Sequence, residues 1–410
     1  MDYIYKIYYK DYNNYNDEYI KRINSENILK TNLNIKSDNA SYNLYFIPNM
    51  ETHNKLEKIR KNDKRLVELE QQLPPIIGES LLIDAISSEL QSSNELEGVE
   101  SKKEDIVFST KKILSNVDTK KERFNSTINS YLLLINKALK VPKDSEDIRK
   151  IYDKVTDGEI DSEDLPDGLI FRKNDVHINK LGTVSGETIH KGIVGEDNII
   201  EHIDNMLTFV NEARVPLLLK VAIGHYYFEY IHPFYDGNGR LGRFISSIYL
   251  ESEYSYLTAL SLSRGSYLEK AKYYKAFDIT NGDKNKGELN FFIDTFLEIL
   301  IKGQEEMIEN LIDKNHKIRS LIDRINNDNK IGGEIDKQLL IGFLPNALFL
   351  FNDPISRKEI IKKMSEERHP VSQIKRSLNK LVELKYLNIV KKRPITYSVE
   401  ESYLRYSVQD

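Results

Sequence analysis

The sequence predicts a mainly α protein with small β elements at three places. Apolar residues recur at helical spacing over much of the chain, as at Leu82, Ile86 and Leu90. Strand-like patterns are confined to short stretches: the first fifty residues, one hairpin near the middle and one near the end. A polar stretch, "NNDNKIGGE", sets off the C-terminal part as a linker would. The expected division is 1–74 as an N-terminal α+β extension, 75–325 as a helical domain and 334–410 as a C-terminal domain.

In chain order, residues 1–50 mix aromatic, aliphatic and polar residues, as in "YIYKIYY" and "YNLYFIP", and read as short strands with Asn/Asp-rich turns. Residues 52–72 read as a charged surface helix, which "LPPIIGE" ends because two prolines cannot continue it. A helix restarts near Glu79 and runs into "SSNELEG", where Gly98 can supply a left-handed C-terminal cap. Helix continues through about residue 139 and again over 145–154, and "DGEIDSEDLPDG" is a loop. "FRKNDVHI" and "GETIHKGIVG" pair as a hairpin. Two amphipathic helices are expected over about 197–212 and 215–230. Further helices cover "RFISSIYLESEY", "SYLEKAKYYKAFDIT" and a very long stretch from "GELNFF" to "SLIDRI". After the linker come two helices, "SRKEIIKKM" and "VSQIKRSLNKLVELKYL", and two strands around a basic tip containing Pro394. Helix, turn, helix, hairpin is the winged-helix order.

Composition bounds the class. The 410 residues are 40% hydrophobic and 30% charged, as in soluble globular proteins. No apolar run approaches a membrane span, and the tyrosine-rich N-terminus lacks a secretion signal. There are no cysteines, which excludes disulfides and thiolate zinc sites. The other histidines, His53, His177, His202, His225, His316 and His369, show no metal-ligand spacing, and His225 reads as helix packing. A cytoplasmic protein with no membrane partner is expected. The net charge of -5 is uneven: residues 334–410 hold 14 Lys+Arg and 10 Asp+Glu, a net of +4, so the remainder carries -9. That asymmetry suggests a C-terminal module with its own partner.

The chemistry concentrates in "IHPFYDGNGRLGR", Ile231 to Arg243. Gly237, Asn238 and Gly239 permit unusual backbone angles just before a helix, and a helix N-terminus behind such a turn attracts anions. Arg240 and Arg243 project from one helical face and suit phosphate. Asp236 is useful beside a phosphate only through a cation, and a carboxylate with phosphate oxygens is how Mg²⁺ is usually held. His232 can take a proton from an incoming hydroxyl. The local chemistry reads as nucleotidyl or phosphoryl transfer.

The same stretch resembles the signature of Fic-domain proteins, His-Pro-Phe-x-Asp/Glu-Gly-Asn-Gly-Arg-x-x-Arg, at every fixed position. The resemblance covers about residues 75–305. It implies a Fic-type helical core with a small β-hairpin flap, where the hairpin at about 171–194 falls. It implies transfer of AMP from ATP to a Ser, Thr or Tyr hydroxyl of a protein, with Mg²⁺ as cofactor and pyrophosphate released. By motif position His232 is the base and Asp236 the Mg²⁺ ligand. Gly237, Asn238 and Gly239 form the anion hole, and Arg240 and Arg243 hold the distal phosphates. Phe234 packs inward and fixes the loop. Relatives that transfer phosphate carry lysine in place of the second glycine, which Gly239 argues against. Other nucleotides, phosphocholine, and removal of AMP from modified proteins remain open.

Ser93–Gly98, "SNELEG", resembles the inhibitory motif Ser/Thr-x-x-x-Glu-Gly/Asn of autoinhibited Fic proteins, in the subgroup with the inhibitory helix before the core. Ser93 and Glu97 share a helix face, and Glu97 is expected to reach Arg243 and fill the γ-phosphate position. "YLEKAKYYKAF" stands where many relatives carry "NRxxYY". Tyr273 and Tyr274 match the tyrosine pair, while Glu269 and Lys270 depart from the Asn-Arg pair. The two tyrosines are candidate nucleotide contacts, with packing the alternative. Ile189 and His190 lie on the expected flap, whose strand can pair with a target segment. In the C-terminal module Lys375, Arg376 and Lys380 are candidate DNA phosphate contacts. Leu378, Leu381, Val382 and Leu384 must face the core, and Glu366, Glu367 and Glu383 weaken the basic face. A DNA-linked regulator using the Fic site as a nucleotide sensor is therefore the competing reading. Homo-oligomerisation is left open.

Overall fold

The computed structural model describes residues 2–37, 40–115, 123–179, 188–366 and 368–405. The fold is mainly α with three small sheets among the described residues, as the sequence predicts.

The first correction comes at the N-terminus. "YIYKIYY" is not a strand but helix α1, Ile4–Lys10, followed by α2, Tyr12–Ile23. Tertiary packing overrides the β preference of its aromatics. Ile4 is fully buried, Tyr3 and Tyr5 set their rings edge-on against Phe291, and Tyr8, Tyr12 and Tyr15 meet at helical spacing. Asp11 separates the two helices and caps the second by accepting from Asn14 N–H at 3.4 Å. The strand reading holds for β1, Leu29–Ser37, and β2, Ala40–Phe46, an antiparallel pair containing the "YNLYF" stretch. Leu33, Ile35, Leu44 and Phe46 join the main core, so residues 1–74 are built onto the helical body.

Helix α3, Met50–Gln71, is capped by Asn49 and ends before the prolines, as expected. Helix α4, Gly78–Leu96, is buried on most of its circumference, beyond the single face read from Leu82, Ile86 and Leu90. It closes on Gly98 at φ +75°. Helices α5, Lys103–Leu114, α6, Asn125–Ile135, and α7, Ser145–Thr156, follow. The hairpin consists of β3, His177–Asn179, and β4, Thr188–Lys191, paired antiparallel as expected. The residues between them lie outside the described residues.

Helix α8, Glu196–Glu212, is amphipathic. Helix α9, Leu217–Ile231, is not: it is buried nearly all round and packs against α8 and its sequence neighbours. "HYYFEY" looks half polar, but each tyrosine hydroxyl finds an internal partner. Tyr226 donates to Asn281, Tyr227 to the Asn34 carbonyl and Tyr230 to the Lys36 carbonyl. Helix α10, Asn238–Glu251, leaves the motif, and α11, Tyr256–Ala259, α12, Leu262–Leu268, and α13, Lys270–Asn281, cover it. Helix α14, Asn290–Asn327, spans 38 residues. Its first half lies in the main core, while Leu321 and Ile325 belong to a second core shared with the C-terminal segment.

That segment begins with a helix the sequence reading omits, α15, Glu334–Phe349. Its apolar residues show little periodicity, and Gly342 and Pro345 lie inside it, so pattern and breakers both point away from helix. Then come β5, Ile355–Ser356, α16, Arg357–Glu366, α17, Val371–Glu383, β6, Leu387–Lys392, and β7, Ile395–Val399, with sheet order β5-β7-β6. A short α18, Glu401–Arg405, ends the described chain. Lys375 and Arg376 are exposed on α17, but Lys380 is engaged by Asp336 at 2.6 Å, which removes it from a free basic face. Leu378 and Leu381 are buried as expected, with Val382 and Leu384 half-buried. Glu367 lies outside the described residues. No described helix is long and apolar enough to cross a membrane.

Candidate active site

The motif loop joins the buried α9 to α10. His232 ends α9 with φ +51°, its N–H donating to the Phe228 carbonyl at 2.9 Å. This left-handed cap turns the chain sharply. Phe234 then enters the core, fully buried, with its ring stacked on Tyr152 at 3.7 Å between centroids and edge-on to Phe171. Asn238 fixes the loop from within: its amide accepts from Phe234 N–H at 3.0 Å and donates to the Phe234 carbonyl at 2.8 Å. Its side chain is a clamp, so only its backbone N–H is available to an anion. Gly237 has φ +82°, which favours glycine. The first N–H groups of α10, at Asn238, Gly239 and Arg240, have no intrahelical acceptor and make a candidate anion cradle. Phe234→Ala should cost about 3–5 kcal/mol, since it opens a cavity against Tyr152. Chemical denaturation should show that loss, and an unchanged midpoint would deny the ring its anchoring role.

Arg172, which sequence reasoning missed, locks the loop from behind. It is fully buried and donates from Nε to the His232 carbonyl at 2.8 Å, from Nη2 to the Ile193 carbonyl at 2.8 Å and from Nη1 to the Asn174 carbonyl at 2.6 Å. The His232 ring is 17% exposed. Burial, with the nearby His190 and Arg172 adding to it, pushes its pKa down to about 3, so the ring is neutral near pH 7. His190 points inward, its Nε2 2.6 Å from the Tyr230 carbonyl. The Ile189 side chain lies outside the described residues.

Asp236 is half exposed. Its Oδ1 accepts from Gly237 N–H at 2.6 Å and its Oδ2 from Arg240 at 3.2 Å. Arg240 also donates to Glu159 at 3.3 Å, so two carboxylates balance its charge. No cluster of three metal-ligating side chains occurs among the described residues. A half-exposed carboxylate next to an anion cradle fits Mg²⁺ as one protein ligand, with phosphate oxygens supplying others.

Arg243 is 1% exposed and faces α4. Its Nε and Nη2 donate to Ser93 Oγ at 3.2 and 3.1 Å, and Nη2 also donates to the Ser93 carbonyl at 3.0 Å and to Glu97 Oε1 at 2.8 Å. Burial works against its charge, but Glu97, with Tyr273 and Glu229 adding to it, pushes the pKa upward. A Cβ on Gly239 would clash with the Glu97 carboxylate, so that carboxylate rests directly on the cradle. Glu89, two turns earlier on the same face, is fully buried and accepts from Ser263 Oγ at 2.6 Å and Ser263 N–H at 3.1 Å. Burial pushes its carboxyl up to about 7. This bond ties α4 to α12.

Of the two candidate nucleotide contacts on α13, Tyr273 is 4% exposed, with its hydroxyl 2.8 Å from His225 Nε2, and packs in the core. Tyr274 donates to the Leu96 carbonyl at 2.7 Å, and Lys270 to the Glu95 carbonyl at 3.2 Å. Both hold the end of α4. The buried His225 packs between Tyr273 and Ser246, as the sequence predicts.

Residues 142–250 match the Fic/DOC family. The Fic match covers the hairpin and the whole motif, while α4 and α13 lie outside it. The chain is similar to a Fic family protein from Desulfovibrio desulfuricans G20, at 16% identity and TM-score 0.50, over 86% of this chain and 96% of that one. It also resembles a Fic-domain-containing signaling protein from Bacteroides thetaiotaomicron VPI-5482, at 19% identity and TM-score 0.40, over 62% and 97% of the two chains. A third likeness is to Fic-1 from C. elegans, at 16% identity and TM-score 0.38, over 64% and 73%. The first of these shows the Fic-type fold across most of the chain.

Proposed function

We propose that the protein transfers AMP from ATP to a hydroxyl side chain of a protein, itself included, and that Glu97 holds it off. The observation that carries this is the neutral His232 at the mouth of a helix-N-terminal cradle whose innermost arginine is occupied by a carboxylate. The hydroxyl oxygen attacks the α-phosphorus, His232 takes its proton, and pyrophosphate leaves with the electrons of the broken P–O bond. The α10 N–H groups stabilise charge on the phosphates, and Arg243, once released, binds the terminal one. Mg²⁺ held by Asp236 would neutralise phosphate charge. Tyr274, on α13 against the end of α4, is the tyrosine we assign to the adenine of ATP.

The C-terminal domain supports a second reading. Its winged-helix element order and exposed Lys375, Arg376, Lys391, Lys392 and Arg393 suit a DNA-linked regulator that senses nucleotide through the Fic site. The deciding experiment incubates the protein and cell lysate with ATP labelled in the α-phosphate. Labelled protein supports transfer. No label, together with DNA binding that survives His232→Ala, supports the regulator. In the same assay Asp236→Asn should raise the Mg²⁺ requirement, because an amide is a weaker ligand for a hard cation. Identical Mg²⁺ dependence would remove Asp236 from the metal site.

A further inference from the structure

Helix α4 presents Glu97 at its C-terminal end, and its other half is gripped from the C-terminal domain. Asp84 lies on that half, roughly 20 Å from Glu97 along the helix axis. Its buried carboxylate accepts from Lys103 of α5 at 2.6 Å and from Lys314 of α14 at 2.7 Å. Each ammonium also lies over a ring at or just past the end of α15. Lys314 Nζ is 4.3 Å from the centre of the Phe349 ring, and Lys103 Nζ is 5.9 Å from that of Phe351. One carboxylate of α4 and two rings of the C-terminal segment thus share two cations.

Helix α15 belongs to both cores. Leu339, Leu340, Phe343 and Leu344 sit in the second core, and Phe349 and Leu350 in the main one. It packs against α4 and against the turn Pro75–Ile77 that leads into α4. The turn after α15 has an uncommon shape. Phe351 has φ +54° and Asn352 φ +55°, a left-handed backbone that residues other than glycine keep where their surroundings hold it. The surroundings hold it from two sides. Asn352 donates from Nδ2 to the Val399 carbonyl at 2.7 Å and accepts at Oδ1 from the Val399 N–H at 3.1 Å, which fixes the turn to β7. Asp353 pairs with Lys111 of α5. Phe351 is 54% exposed, so its position over Lys103 comes from the turn and not from burial.

We propose that the C-terminal domain sets the grip of the brake: the turn at 350–353 holds the lysines that seat α4, and loosening it frees Glu97 from Arg243. This deepens the proposed transfer activity and rests on that reading for its consequence. Along α4, Asp84 is tied to α5 and α14, Glu89 to α12, and Ser93 and Glu97 to α10. These ties seat one continuous helix, so loss of the first makes it easier to lift the last turn. A ligand on the C-terminal domain then has a route of direct contacts to the phosphate site.

Hydrogen exchange in the full chain tests this by following the amides of α4 in the wild type, Asn352→Gly and Phe351→Ala. Glycine keeps the left-handed φ without strain but drops both bonds to Val399. The exposed Phe351 can be trimmed without opening a cavity, so one arm survives if Asn352→Gly fails to fold. Asn352→Gly should speed exchange over 78–98 by about 5-fold or more, the lower end of ordinary coupling between sites. Phe351→Ala should act in the same direction by less, with α9 and α10 unchanged in both. Unchanged exchange in α4, or a rise shared equally by α9 and α10 that marks general destabilisation, overturns the proposal. AMP transfer measured alongside should rise in both variants toward the level of Glu97→Gly. A rise in Glu97→Gly alone also overturns the proposal, since the grip would then stop short of Glu97. If α4 exchange rises and no variant transfers AMP, Glu97→Gly included, the transfer reading fails and the grip on α4 stands.

Discussion

Glu97→Gly should raise AMP transfer by about 10²-fold, the scale set by a ~1 Å misplacement of reacting groups, while ATP affinity changes far less. Ser93 and Glu97 take the Nε and Nη2 bonds of Arg243, and the Nη1 left beside Gly239 lies next to the Glu97 carboxylate. A terminal phosphate arriving there meets a carboxylate that already occupies the space and the charge. ATP can still use the α10 N–H groups and Arg240, so it binds, but with its γ-phosphate displaced and its α-phosphate turned from the line of attack. Removing the carboxylate frees both the room above Gly239 and the guanidinium.

The substitution is structurally mild where it falls. Glu97 caps α4 at φ -85°, outside the helix proper, and its side chain is 28% exposed. Arg243 keeps its three bonds to Ser93. Losing a partner from a buried ion pair still costs up to about 3–5 kcal/mol, so melting must be measured with activity. Arg243→Ala should not mimic the gain, since it removes brake and phosphate ligand together. A folded Glu97→Gly no more active than the wild type would reduce "SNELEG" to a helix end.

Sequence reasoning reached these residues because the signals are local. The motif is thirteen contiguous residues that resemble the Fic signature at every fixed position, and Ser93 and Glu97 lie one helical turn apart. What it missed depends on distant partners. Arg172 holds carbonyls at Ile193 and His232, and Glu89 takes its hydrogen bonds from Ser263, pairings no local pattern announces. Asp84 was invisible for the same reason, since an aspartate on a helix looks like surface until Lys103 and Lys314 close over it. The fold errors have the same source. Tyr226, Tyr227 and Tyr230 count as polar in a pattern but are buried by bonds to Asn281, Asn34 and Lys36, which made α9 look amphipathic. The alternation of α1 was real but was set by packing on Phe291.

His232→Ala should retain ATP binding and lose AMP transfer by at least about 10²-fold, the lower end of what general-base catalysis contributes. The proposed phosphate contacts do not involve this ring, since they are the α10 backbone N–H groups, Arg240 and Arg243. The loop should also survive, because its anchors are elsewhere. Arg172 holds the His232 carbonyl, Phe228 accepts its N–H, and Asn238 clamps Phe234. The residual risk is the left-handed φ of +51°, where alanine is somewhat strained, so a melt accompanies the assay. The pH dependence separates a base from a spectator. With its pKa pushed down to about 3, the ring protonates only in strong acid. Transfer by Glu97→Gly should therefore show no acid limb from His232 between pH 5 and 7, and the variant that also carries His232→Ala should be uniformly inactive there. Calorimetry with ATP and Mg²⁺ provides the binding arm. Transfer unchanged in folded His232→Ala would end the assignment of this ring as the base, and loss of ATP binding along with transfer would make it a nucleotide contact instead.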